Sequence, residues 1–156
     1  MVNAFLVERT NEIRTVVDIG CGDFRVGSQL RIAPDCQYIC VDIVYSLISF
    51  LDTRFSSPSR TFLCRDVITD DIPDGELCLI RQVLQHLSNR QIMSILEKTA
   101  AFPYVLITEH HPSSVVLREK NSDKPHGGDT RVLDDSGVYI EAEPFDITHA
   151  KVVLRV

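Results

Sequence analysis

Five short apolar runs mark the chain at residues 16–19, 38–43, 61–64, 77–80 and 104–108. Each is nearly continuous rather than alternating, which is the pattern of a strand buried on both faces. Leu47, Ile48, Leu51 and Phe55 recur at helical spacing, and Ser56-Ser57-Pro58-Ser59 ends the helix they predict over 47–55. Ile92, Ile95, Leu96 and Ala100 mark the apolar face of another helix over 88–100, with a capping box from Ser88 and Gln91 at its start. Residues 24–33 read as a helix stopped by Pro34, in which Gly27 permits close packing on a strand. Phe5, Leu6 and Ile13 predict a short N-terminal helix within residues 1–14. Strands alternating with helices in this way predict a doubly wound α/β domain, a mostly parallel sheet with helices on both faces. Further on, Val138, Ile140 and Ala142 alternate with Tyr139, Glu141 and Glu143, and residues 151–156 are apolar again, which brings the expectation to about seven strands. Residues 110–137 lack periodicity apart from a shrunken helix near 113–120, and a long irregular stretch in a compact domain is commonly a functional loop.

The first strand carries the most chemistry. It continues as Val16-Val17-Asp18-Ile19-Gly20-Cys21-Gly22-Asp23-Phe24, a strand running into a glycine-bracketed turn. Gly20 and Gly22 can adopt positive φ and let a ligand lie against bare backbone. A dinucleotide fingerprint wants a third glycine three positions after the second, where this chain has Arg25. Asp18 and Asp23 also oppose the positive field that would hold a pyrophosphate, so a ligand carrying ammonium or sulfonium charge suits the turn better. Asp42 ends the second run twenty residues beyond Gly22, where a βαβ nucleotide site places the carboxylate that binds ribose hydroxyls. In such a sheet Gly20, Asp42, Asp66, Arg81 and Glu109 fall on the carboxyl edge of the strands, where ligands bind.

The VVDIGCGDF segment, with Asp42, Asp66 and the later Arg81-Gln82-Val83-Leu84-Gln85-His86-Leu87, resembles the ordered motifs of class I S-adenosylmethionine-dependent methyltransferases, in particular a small, poorly characterised bacterial group. The resemblance spans residues 15–156 and is densest over 16–110. It implies a Rossmann-like sheet finished by an antiparallel C-terminal hairpin, and S-adenosylmethionine as cofactor. Carried over residue by residue, it implies cofactor contacts from Asp18, Gly20, Cys21 and Gly22, from Asp42 and Ile43 at the ribose, from Asp66 and Val67 at the adenine, and from Arg81 and Gln82. Gln82 stands where the group usually has an acid. The order Asn121, Gly127-Gly128, Arg131 and Pro144-Phe145 resembles the tail of the same group, which implies that Gly127, Gly128 and Arg131, with Glu109 and His110, face a small-molecule or protein methyl acceptor. His86 and His111 are the candidate general bases.

Composition narrows the alternatives. A net charge of −6 argues against nucleic acid as the main partner, since phosphate backbones are held by clustered Lys and Arg. No apolar run approaches the length of a membrane span and no secretion signal opens the chain, so a cytoplasmic protein with a single domain over 1–156 is expected. Five cysteines without a C-x-x-C pair fit reduced thiols in a reducing compartment. Glu109, His110 and His111 invite a metal, but adjacent residues on an extended segment point to opposite sides, so none is assigned. The competing readings are a cofactor-binding domain without catalysis and a nicotinamide-dependent oxidoreductase; the missing third glycine and the acidic turn count against the latter. The oligomeric state and the acceptor are left open.

Overall fold

The computed structural model describes residues 2–153. In chain order the elements are α1 (Val2–Glu8), β1 (Thr15–Ile19), β2 (Gln37–Asp42), α2 (Tyr45–Phe55), β3 (Arg60–Cys64), β4 (Leu77–Arg81), α3 (Asn89–Thr99) and β5 (Tyr104–Thr108). The strands form one all-parallel sheet in the order β3-β2-β1-β4-β5. The chain therefore steps outward from β1 to β3, returns to the centre at β4, and leaves in the opposite direction to β5. The reversal lies between β1 and β4, and in open α/β sheets ligands bind beyond the carboxyl ends of the strands at such a point.

The described residues fall in two compact units, one of residues 2–81 and 95–108 and one of residues 82–94 and 109–153. In the first, the strand register puts Val16, Tyr38, Leu77 and Tyr104 in one row and Cys40, Leu79 and Leu106 in the next. These join Leu6 of α1, Ile48 and Leu51 of α2, and Ile13, Phe24 and Phe62 in the hydrophobic core on that face. The opposite face, with Val17, Ile19, Val41, Cys78 and Ile80, is also buried. Burial on both faces accounts for the continuous apolar runs. The β4–α3–β5 connection steps outward in the direction opposite to β2–α2–β3, and Ile95 and Leu96 of α3 are buried. The capping box forms as expected, with Ser88 N–H donating to Gln91 Oε1 at 3.0 Å and Gln91 N–H to Ser88 Oγ at 3.4 Å.

Three expectations are corrected. Residues 24–33 form a 3-10 turn over Gly27–Gln29 rather than a helix. Phe24 has φ of 62° and turns its ring into the core, 5.1 Å from Phe62 in an edge contact and 5.4 Å from Phe55. A Cβ at Gly27 would sit 2.7 Å from that ring and 2.8 Å from the Tyr38 hydroxyl. Core packing thus overrides helix propensity. Residues 113–120 hold only a turn, in which Ser113 O accepts from Val116 and Leu117 N–H. The alternating run at 138–143 makes turns rather than a strand. The reason lies in Asn121, whose Nδ2 donates to Tyr139 O at 2.8 Å, Ala142 O at 3.3 Å and Glu143 O at 2.7 Å, while its Oδ1 accepts from Tyr139 N–H at 2.7 Å. Carbonyls gathered around one side-chain amide cannot also line up in a ladder. Neither the hairpin nor a seven-stranded sheet is formed among the described residues; of the final run, residues 151–153 carry no strand and 154–156 lie outside the described residues.

The second unit is ordered chiefly by side chains that bind backbone. Besides Asn121, the fully buried Arg131 donates from Nη1 to Ser122 O at 2.5 Å and from Nη2 to Leu87 O at 2.7 Å. Ser136 Oγ donates to Glu119 O at 2.7 Å and accepts Ser122 N–H at 3.1 Å.

Candidate functional site

At the carboxyl edge of the first unit's sheet, three strand ends are tied together by backbone and carboxylate. Gly20 and Gly22 have φ of 67° and 56°, the left-handed conformation that favours glycine. Gly20 and Cys21 N–H both donate to Val41 O, at 2.8 and 3.1 Å, which folds the turn back onto the end of β2. Gly22 N–H then donates to Asp42 Oδ2 at 3.1 Å, and Asp42 Oδ1 accepts Val44 N–H at 3.0 Å. Each carboxylate oxygen keeps a further lone pair for a ligand. A Cβ on Gly22 would meet nothing within 4 Å, so that backbone is open to a neighbour. Ile43, next in the chain, is 57% exposed, an apolar side chain left at the edge. Arg65 N–H donates to Asp42 O at 3.0 Å, which sets the loop with Asp66 and Val67 alongside.

Asp18 sits beneath this edge with no exposed surface. Its Oδ2 accepts from Arg81 Nη2 at 2.6 Å and from the Tyr38 hydroxyl at 2.5 Å, and its Oδ1 accepts from Arg81 Nε at 3.3 Å. Burial lifts the Asp18 carboxyl above its ordinary pKa, while Arg81 and Tyr38 pull it down. Burial and the Asp18 charge push the Tyr38 hydroxyl up. The guanidinium of Arg81 lies against the carboxylate, so Asp18 lends the turn far less net negative charge than its position in the sequence suggests. Cys21 is buried in the core cluster beside the turn.

Known structures resemble this fold. TnmH aligns with a TM-score of 0.56 at 22% identity over 67% of this chain and 33% of its own. The methyltransferase domain of a bacterial Hen1 gives 0.55 at 18% identity, over 68% of this chain and 60% of its own. The plantazolicin methyltransferase BpumL, solved with a pentazolic desmethylPZN analogue and S-adenosylhomocysteine, gives 0.55 at 17% identity over 73% of this chain and 46% of its own. This is the class I methyltransferase fold. The chain spans a third to three-fifths of the length of those three proteins. No family model and no curated protein matches the sequence.

Within the methyltransferase fold, the predicted site residues divide between the two units. Asp18, Gly20, Cys21, Gly22, Asp42, Ile43, Asp66, Val67 and Arg81 belong to the first, and Gln82, His86, Glu109, His110, His111, Gly127, Gly128 and Arg131 to the second. Gln82, with φ of 58°, accepts from Gln85 Nε2 through its side-chain oxygen at 2.9 Å. Glu109 accepts backbone N–H groups from Val83 at 3.0 Å, Leu84 at 2.9 Å and Gln85 at 3.4 Å. Burial pushes its pKa up to about 7, against the pull of those three donors and of Arg131. His86 is half-buried, its buried Nδ1 has no hydrogen-bond partner among the described residues, and its carbonyl accepts Gly127 N–H at 3.0 Å. His111 Nε2 lies 2.8 Å from Val138 O, so that nitrogen carries the proton, and its ring stacks on Tyr139 at 4.1 Å. His110 and Gly128 are exposed, while Arg131 is turned inward on two carbonyls. Burial holds the Arg131 pKa below its ordinary value.

Sequence reasoning missed Tyr38 and Lys98, and singled out Asn121 only as part of the tail motif, not as the residue that gathers the 139–143 backbone. Period-two alternation from Cys40 places Tyr38 on the Asp18 face, a usable signal. Asn121 and Lys98 bind carbonyls remote in sequence, and no local pattern announces them. Among the described residues no group of three or more side chains could hold a metal, and no helix is long and apolar enough to cross a membrane.

Proposed function

We propose that the Gly20–Gly22 turn, Asp42, Ile43 and the Asp66–Val67 loop bind S-adenosylmethionine, and that the chain transfers its methyl group to a nucleophile on a small molecule or protein. The observation that carries this reading is the bond from Gly22 N–H to the Asp42 carboxylate at the sheet's carboxyl edge. It joins an open, Cβ-free turn to an acceptor with lone pairs to spare for vicinal ribose hydroxyls. Exposed Ile43 offers a purine an apolar surface beside that acid. The residues present therefore fit the cofactor. Bound there, it would supply an activated methyl on a sulfonium leaving group. The protein's share is then orientation and exclusion of water, which need few reactive side chains. For deprotonating an acceptor the chain offers His86, whose buried Nδ1 has no hydrogen-bond partner among the described residues, and His111, whose Nε2 proton is held on Val138 O. The five free thiols fit a reducing, cytoplasmic setting.

Calorimetric titration of the folded chain with S-adenosylmethionine or S-adenosylhomocysteine tests the binding half. Heat should saturate with a Kd tighter than about 100 μM, equivalent to about 5 kcal/mol. A flat titration contradicts it. Binding without turnover on a broad acceptor panel would leave a cofactor-binding domain without catalysis.

A further inference from the structure

Lys98 lies in the last turn of α3, where a basic residue ordinarily serves the helix dipole from water. Here its ammonium is bound instead. Nζ donates to Val67 O at 3.0 Å, Ile68 O at 2.8 Å and Asp70 O at 2.8 Å, so all three donors end on one loop. That loop is closed on itself as well. Asp66 N–H donates to Asp70 Oδ2 at 2.9 Å, Asp66 Oδ1 accepts Ile68 N–H at 2.9 Å, and Asp66 O accepts Asp70 N–H at 2.7 Å. Arg65 anchors both ends, through Nη1 to Asp71 O at 2.8 Å and through its N–H to Asp42 O. Among the described residues, Asp66 Oδ2 takes no hydrogen bond.

We infer that Lys98 is a positioning residue: by gathering three carbonyls it fixes the loop over 66–70 in the shape that lets Asp66 read the amino edge of a purine. This rests on the cofactor reading above and extends it to specificity. Charge-assisted bonds to carbonyls are about twice as strong as neutral ones, and three converging on five residues leave the loop little freedom. A rigid acceptor discriminates a purine bearing an amino group from one bearing an oxo group; a loose one turns away and binds both.

The test compares S-adenosylhomocysteine with S-inosylhomocysteine, which has oxygen in place of the 6-amino group, on the wild-type chain and on Lys98→Met. The wild type should prefer the adenosyl ligand by about tenfold or more, the value of one hydrogen bond to a charged group. In Lys98→Met that preference should shrink to within about threefold, through loss on the adenosyl ligand alone. A purely structural lysine predicts equal weakening of both ligands, and that result overturns the inference. So does a variant with unchanged preference, or a wild type that binds both ligands equally. Failure of the wild type to bind S-adenosylhomocysteine strikes the cofactor reading itself. If Lys98→Met does not fold, exposed Asp70→Ala decides: it frees Asp66 N–H with Lys98 in place, its preference should fall, and full retention overturns the proposal.

Discussion

The two units of this chain are held together by different means. In the first, five parallel strands satisfy one another's backbone groups, and side chains are left free to pack a core and furnish an edge. In the second, no strand forms among the described residues, and buried Asn121, Arg131 and Ser136, with half-buried Glu109, take over many of the backbone's hydrogen bonds. A ladder spreads its stability over many equivalent bonds. A hub concentrates it, so one substitution there leaves several buried groups unpaired at once.

Asn121→Ala should show the contrast most strongly. It deletes four hydrogen bonds to backbone, the two on Tyr139 fully buried, and should lower unfolding free energy by about 3 kcal/mol. Denaturant melts would register the loss, and hydrogen exchange should place it in residues 109–153; a loss below about 1 kcal/mol would mean the amide is not a hub. Gly27→Ala probes the first unit. Its methyl group would press on the Phe24 ring and the Tyr38 hydroxyl, and the strain should cost about 2 kcal/mol. A neutral or stabilising effect would show that this packing is looser than described. Glu109 separates the units by pH. Its folded pKa, about 7, lies above the ordinary 4.5, so the folded state holds the proton more tightly between those values. Its contribution is full below 4.5 and is lost as pH rises through about 7, and Glu109→Gln should flatten that slope in unfolding free energy. Identical pH profiles for the two proteins would refute the shift.

The same contrast decides what could be read from sequence. All five strands, α2 and α3 were legible because burial on both sheet faces and on one helix face writes itself as a period. The glycine turn and the acid that ends β2 were legible too, since glycines and acids at strand ends have positional meaning. What escaped was set by distant partners. Phe24 adopts φ of 62° to reach Phe55 and Phe62, which ends any helix over 24–33 before it starts. Val138, Ile140 and Ala142 alternate like a strand, but Asn121, seventeen or more residues away, decides their conformation. Asp18 reads as an edge acid and lies sealed beneath Tyr38 and Arg81, because strand position does not reveal depth.

The central claim is that Asp42 and the glycine turn grip a nucleoside. Parallel titrations of S-adenosylhomocysteine into the wild type and into Asp42→Asn test it most directly, because the amide keeps the volume of the carboxylate and removes its charge and one acceptor. The wild type should bind, and the variant about tenfold more weakly or not at all. Equal affinity for the two proteins would place the ligand elsewhere and remove the basis of the proposed site.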